Sequence, residues 1–158
     1  MQRIRNLAVI VSFAFGALTF GAAWSADSPP PKDPDKKELE ATRAAIAQED
    51  WAHARELARA ALERAPLSAD AHNLYAYSLR RGPNPPMDLV FRHYNEALRL
   101  DPRQVGAHEY LAEAYLMTGN LAKAREHLAL LERICGACEE RVKLAQAVAN
   151  AERQQATK

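Results

Sequence analysis

The stretch VGAHEYLAEAYLMTGNLAKAREHLALL, residues 105–131, decides the fold. Leu111, Ala112 and Tyr115 recur at helical spacing before Gly119-Asn120, and Leu121, Ala124, Leu128 and Leu131 recur after it. Residues three and four apart share one face of an α-helix, so each run predicts a short amphipathic helix. Gly119 lacks a Cβ and permits the backbone of a tight turn, so the two runs predict a hairpin. The small Ala112 beside the aromatic Tyr115 lets its two helices approach closely.

Working outward from this hairpin, helix-ending residues stand at Pro66, Pro102 and Gly136, at intervals of 36 and 34 residues. A two-residue insertion at Gly82-Pro83-Asn84-Pro85-Pro86 accounts for the difference, because those five residues cannot all be helical. They predict an enlarged turn. With it placed, three copies fall into one register. The small position of the first helix is Thr42, then Ala76, then Ala112, and one turn later stand Ala45, Leu79 and Tyr115. The second helix opens on Trp51, Met87 and Leu121. Its next positions are Ala54, Val90 and Ala124, then Ala58, Tyr94 and Leu128. Each copy closes on Ala61-Leu62, Ala97-Leu98 or Leu131-Glu132.

This order of leucine, small residue, tyrosine, glycine turn, alanine and bulky apolar residue resembles the tetratricopeptide repeat (TPR), whose period is about 34 residues. The resemblance covers roughly residues 35–136. It implies an all-α TPR solenoid of three helix-turn-helix repeats, at about 35–68, 69–104 and 105–138. The first copy departs most from the pattern, with Glu49-Asp50 where a glycine is usual and alanines at several bulky positions. A degenerate terminal copy is expected, because its outer face has no neighbour. Residues 138–155 predict a C-terminal capping helix. Val142, Ala145, Val148 and Ala149 share one face with Leu144 at its edge, and Glu139-Glu140 favour the helix N-terminus electrostatically. Seven helices and no sheet are expected over this TPR domain, residues 35–155.

The chain has 158 residues with 21 basic and 20 acidic side chains. No strong field points to nucleic acid or an anionic membrane. The resemblance implies a non-catalytic interaction module whose concave wall is built mainly from the first helix of each repeat. The wall residues are then Leu39, Arg43 and Ile46, then Asn73, Tyr77 and Arg80, then Glu109, Glu113 and Leu116. Of these, Arg43, Asn73, Tyr77, Arg80, Glu109 and Glu113 are expected to bind a peptide or partner protein of unassigned identity. An ordinary solvated face is the alternative for each. Some TPRs carry a basic clamp for a C-terminal carboxylate, and this wall offers Glu109 and Glu113 instead.

The N-terminus reads separately. Arg3 and Arg5 precede an uncharged apolar run from Leu7 to Phe20, followed by Gly21, Ala22, Ala23 and Ser25. This is a secretory signal pattern, placing a signal peptide at 1–25 and export, in bacterial terms to the periplasm. An uncleaved inner-membrane anchor at residues 7–24 is the alternative. Membrane contact is expected only through this signal or a membrane-protein partner. The three prolines within DSPPPKDP predict a stiff linker over 26–34.

Cys135 and Cys138 flank the turn before the capping helix. In an exported protein a disulfide is the default, and closing so short a loop contributes roughly 2 kcal/mol in the chain-entropy account. A thioredoxin-type pair needs a strand before it, a c-type haem needs histidine where Glu139 stands, and zinc needs two more ligands. A redox-active pair or a copper(I) site remains open, as a thiol-redox or copper-handling alternative to the scaffold. Small exported bacterial TPR proteins ending in a cysteine turn followed by Glu-Glu are similar, and bring no activity with them. His72 and His108 share one repeat column, and His93 and His127 another, so members of each column are expected to approach across repeats. No cofactor, metal or catalytic site is assigned.

Overall fold

The computed structural model describes residues 35–157; the signal and linker assignments fall outside that range. Seven helices follow one another: α1 Lys36–Ala47, α2 Trp51–Arg64, α3 Ala69–Arg81, α4 Met87–Leu100, α5 Val105–Met117, α6 Leu121–Cys135 and α7 Glu139–Ala156. No strand occurs among the described residues. Three antiparallel hairpins, α1–α2, α3–α4 and α5–α6, stack side by side, and α7 packs against both α5 and α6. The first helices also pack in a row, α1 against α3, α3 against α5 and α5 against α7. That row is the inner wall of the expected solenoid.

The small-residue columns set the spacing within each hairpin. Thr42, Ala76 and Ala112 are fully buried, as are Ala54, Val90 and Ala124 in the facing helices. Ala58 and Tyr94 are also fully buried, whereas Leu128 is only partly so. Burial then runs as three successive cores. Leu39, Ala58, Ala61, Ala71 and Leu74 join the first two repeats. Ala76, Leu79, Val90, Tyr94, Leu111 and Ala114 join the second and third. Ala112, Ala124, Leu131, Leu144 and Val148 join the third to α7.

Three placements correct the sequence reading. Leu39, expected on the wall, is 4% exposed and packs into the first core, because it meets Ala71 and Leu74 of the next repeat. On α7 the buried pair is Leu144 and Val148, while Val142 is 40% exposed. The face of α7 is chosen by its two neighbouring helices, so it turns Leu144 inward from its expected edge position. The histidines pair within repeats, not across them. His72 Nδ1 lies 2.8 Å from His93 Nδ1, and His108 Nδ1 lies 2.9 Å from His127 Nδ1.

The turns follow local chemistry. Asp50, Ser68 and Asn120 cap α2, α3 and α6 by accepting from the backbone N–H groups of His53, Ala71 and Lys123. Such caps satisfy donors that a helix start leaves unpaired. The α1–α2 and α5–α6 turns share one hydrogen-bond pattern. Asp50 N–H donates to Ala45 O and Glu49 N–H to Ile46 O; Asn120 N–H donates to Tyr115 O and Gly119 N–H to Leu116 O. This is the Schellman termination, which requires a left-handed residue. Gly119 fills it at φ 78°, and Glu49 fills it at φ 57°. The middle turn, from Gly82 to Pro86, is longer and places Pro86 rather than a capping side chain before α4.

A left-handed non-glycine residue carries a conformational penalty of about 1–2 kcal/mol, partly offset because glycine also loosens the unfolded chain. Glu49→Gly is therefore expected to stabilise the fold by about 0.5–1 kcal/mol. Urea titration of the variant checks this, and a lowered midpoint would refute it.

Candidate functional site

The row of first helices brings five of the six expected wall residues into one cluster. Arg80, near the C-terminal end of α3, is only 7% exposed. Its Nη2 donates to Glu113 Oε2 at 2.6 Å and its Nε donates to the Tyr94 hydroxyl at 3.3 Å. Its guanidinium also lies 5.4 Å from the Tyr77 ring centre and 5.9 Å from that of Tyr110. Burial pulls the Arg80 pKa down, but Tyr94 and Glu113 outweigh it and the net shift is upward. Burial likewise pushes the Tyr94 hydroxyl up, and that of Tyr110 up to about 12. Arg80 thus ties α3 to α4 and α5.

An aromatic line runs beside it. Trp51 meets Tyr77 edge-on at 5.9 Å, and Tyr77 lies 4.4 Å from Tyr110. Arg81 covers the Trp51 ring at 4.9 Å. Trp51, Arg81 and Tyr110 extend the wall beyond the residues expected from sequence. Tyr110 directly follows Glu109 in sequence, and Trp51 is the first residue of α2. Only Trp51 belongs to a second helix, which a first-helix count omits; Arg81 and Tyr110 are on first helices, each one position after a residue in the count.

The remaining wall residues differ in how far their polarity is used. Arg43 pairs with Asp70 Oδ2 at 2.6 Å, and Asp70 Oδ1 accepts from Gln104 Nε2 at 2.6 Å. This chain runs from α1 across the start of α3 to the N-cap residue of α5. Asn73 is 7% exposed, and its buried Oδ1 has no partner. Glu109 is 4% exposed and stands outside the ion pairs of the described residues. Burial, then the neighbouring Glu113 charge, pushes its pKa up to about 7. Leu116 and Ile46 are partly buried against cores and add little polar character.

The Cys135 and Cys138 Sγ atoms stand at disulfide distance, 2.04 Å, across the turn from α6 to α7. Gly136 within that turn has φ 64°. The histidine pairs join the first helix of a repeat to its second helix, α3 to α4 and α5 to α6. In each pair the first-helix ring also meets a proline carbonyl, His72 Nε2 to Pro66 O at 3.0 Å and His108 Nε2 to Pro102 O at 3.1 Å. With both rings neutral, Nε2–H donates to that carbonyl, and Nδ1 then accepts from Nδ1–H of the second ring. Burial, reinforced by the facing ring, lowers His93 and His127 to about 4. No group of three or more His, Cys, Asp or Glu side chains gathers in metal-binding geometry among the described residues.

Two expectations follow. Arg80→Ala leaves Glu113 and the Tyr94 hydroxyl without their cation and is expected to destabilise by about 3 kcal/mol. Arg43→Ala breaks a half-exposed pair and is expected to remove less than about 1 kcal/mol. Urea melts of both variants compare them, and equal losses would contradict this assignment. The second concerns pH. Because His93 and His127 are depressed below the ordinary 6.5, their contribution is complete above that value and is lost as pH falls toward about 4. Glu109 acts oppositely, since its raised pKa favours the folded state in acid and that support is lost as pH rises through about 7. Thermal melts at pH 7 and pH 5 should therefore show a drop on acidification that is larger in Glu109→Gln and smaller in a His93→Gln/His127→Gln variant. The opposite ordering would refute it.

Comparison with known proteins agrees with this architecture. Two tetratricopeptide repeat family models match, one over residues 39–86 and one over residues 93–126, together about half of the chain. No curated protein matches the sequence. Among solved structures, the Yersinia enterocolitica type III secretion translocator chaperone SycD superposes with a TM-score of 0.67 at 13% identity, covering 80% of this chain and 89% of that one. The TPR2B domain of yeast Sti1, solved in a pHsp70 complex, gives 0.63 at 21% identity, covering 75% and 98%. The first TPR of Spaghetti (RPAP3), bound to an HSP90 peptide, gives 0.63 at 15%, covering 73% and 94%. At these identities the likeness carries the fold alone. With three helical hairpins in one register and two matching family models, the chain belongs to the tetratricopeptide repeat family.

Proposed function

We propose that this chain is a non-catalytic interaction module that binds a peptide or partner protein on its inner wall, within the bacterial cell envelope. The observation that carries the reading is the wall itself. Asn73, Tyr77, Arg80, Glu109 and Glu113 converge from adjacent first helices; Asn73 Oδ1 is buried without a partner, and Glu109 stands outside the ion pairs of the described residues. A rigid scaffold presenting such groups suits binding of an extended segment. Structural neighbours were solved with peptides, among them Spaghetti with an HSP90 peptide and SycD with a peptide of the translocator YopD. Nothing in the charge balance favours nucleic acid.

The envelope setting draws on the basic, apolar and small-residue order of residues 1–25. No described helix is long and apolar enough to cross a membrane. The short Cys135–Cys138 distance suits a disulfide holding α7 to the last repeat, as an oxidising compartment allows. A second reading, thiol-redox or copper(I) handling, draws on Cys138 standing at the N-cap of α7, where the helix terminus favours a thiolate.

One preparation tests these points. Tagged protein purified from the envelope fraction of its host is expected to begin past the apolar run and to weigh two hydrogens less than the dithiol form. It is expected to retain a partner that Asn73→Ala and Tyr77→Ala each release while remaining helical by circular dichroism. An unprocessed chain with free thiols refutes the envelope reading. A partner indifferent to both substitutions refutes the wall. Stoichiometric copper(I) lost in Cys138→Ser would favour the second reading.

A further inference from the structure

Two wall groups lack an internal counterpart, and their chemistry is alike. The Asn73 amide lies against the first turn of α5: a Cβ added at Gly106 would stand 3.6 Å from Asn73 Nδ2 and 3.7 Å from the Tyr110 ring. Glu109 follows Gly106 by one helical turn and shares its face. Asn73 Oδ1 is a buried acceptor with no donor, and Glu109 is a buried carboxyl outside the chain's ion pairs. A buried acceptor such as Asn73 Oδ1 destabilises a fold unless something supplies the missing donor, and a poorly solvated carboxylate such as Glu109 does so unless a cation faces it.

Two cations act on Glu109 without pairing with it, and each is hydrogen-bonded to another carboxylate. Arg80 of α3 is held by Glu113 and Tyr94. Lys143 of α7 sits 2.7 Å from Glu139. The other charges acting on Glu109 are carboxylates, Glu113 on its own helix and Glu140 on α7. Glu109, Glu113, Glu139 and Glu140 thus share two cations, and negative charge is in excess around Glu109. With no side chain at Gly106, the Asn73 amide and the Tyr110 ring edge border the same point of α5, and the ring offers an apolar surface to an aliphatic stem.

We propose that the strip of inner wall between Asn73 on α3 and Glu109 on α5 receives a cationic side chain, lysine or arginine, from a partner segment. This rests on the wall being the binding surface, and it adds the chemistry of what binds. The ammonium or guanidinium donates to the Glu109 carboxylate and the Asn73 carbonyl, while its stem lies along Tyr110. The selectivity is opposite to that of a basic wall that receives a carboxylate.

The test is selection of random dodecapeptides displayed on phage against the purified protein, followed by affinity measurement on the selected peptides. Lysine or arginine is expected to be enriched at one position. Glu109→Gln is expected to weaken such a peptide at least tenfold. Replacing the peptide's cation with norleucine should weaken it similarly, and the two changes together should cost little more than either alone. Affinity should fall between pH 8 and pH 6, as Glu109, with its pKa near 7, takes up a proton; in Glu109→Gln this dependence should vanish. Glu109→Gln should also melt higher than wild type at pH 8, which shows that its lost affinity does not arise from misfolding. Peptides that Tyr77→Ala releases but that show no cationic preference overturn the cation assignment and leave the wall standing. Peptides that bind regardless of Tyr77→Ala overturn the wall as well, and so does a selection that yields no binder.

Discussion

Close approach at the alanine columns is the constraint on which the rest depends. Ala54 and Ala124 are fully buried, as is Val90 in the same column, and Thr42, Ala76 and Ala112 are buried opposite them. A side chain larger by even a few methylenes at these points would push a hairpin apart, because protein interiors have no slack to absorb it. The hairpin spacing in turn fixes where the first helices lie relative to one another. Their row carries the Arg80–Glu113 pair and the Tyr77–Tyr110 contact, both of which cross from α3 to α5. The wall is thus a consequence of small residues that never reach it.

Stability along such a stack is a sum of local terms, so the ends matter. At the C-terminal end Leu144 and Val148 of α7 cover Ala124 and Leu131, which would otherwise leave the third repeat open. The N-terminal end is built more thinly. Its column that holds Tyr94 in the second repeat holds only Ala58 in the first, and its turn places Glu49 in a left-handed conformation that Gly119 adopts without strain in the third. Both departures lie in the first copy, whereas the outer side of the third copy is covered by α7.

The repeat register was legible in the sequence because the small-residue columns recur at 36 and 34 residues and tolerate almost nothing else. Surface assignments were less legible. Leu39 and Arg43 lie one turn apart on α1, yet the first enters a core and the second pairs in solvent with Asp70. Which of the two faces inward depends on the position of α3, which a count along α1 does not contain. The histidines show the same limit. Column equivalence links His72 to His108, but an antiparallel hairpin brings together residues at comparable distances either side of its turn, hence His72 with His93 and His108 with His127. The separations of 21 and 19 residues held that signal, and reading each hairpin as folded on its turn would have found it.

The wall's electrostatics follow from unequal sharing. Glu109 and Glu113 are one turn apart on α5, and a single buried arginine lies within reach. Arg80 cannot serve both, because its Nε is held by the Tyr94 hydroxyl and its fork is thereby aimed at Glu113. Glu113 is the more exposed carboxylate, so the internal cation goes to the group that water could have solvated, and the deeper group goes without. Burial and the Glu113 charge then hold Glu109 near pKa 7, where a small change in its surroundings decides whether it is charged. Approach of a positive group would draw off that proton and create the charge it binds. A carboxyl left in this condition reduces stability at neutral pH, which is the pattern expected of a group placed for an interaction outside the chain rather than for the fold.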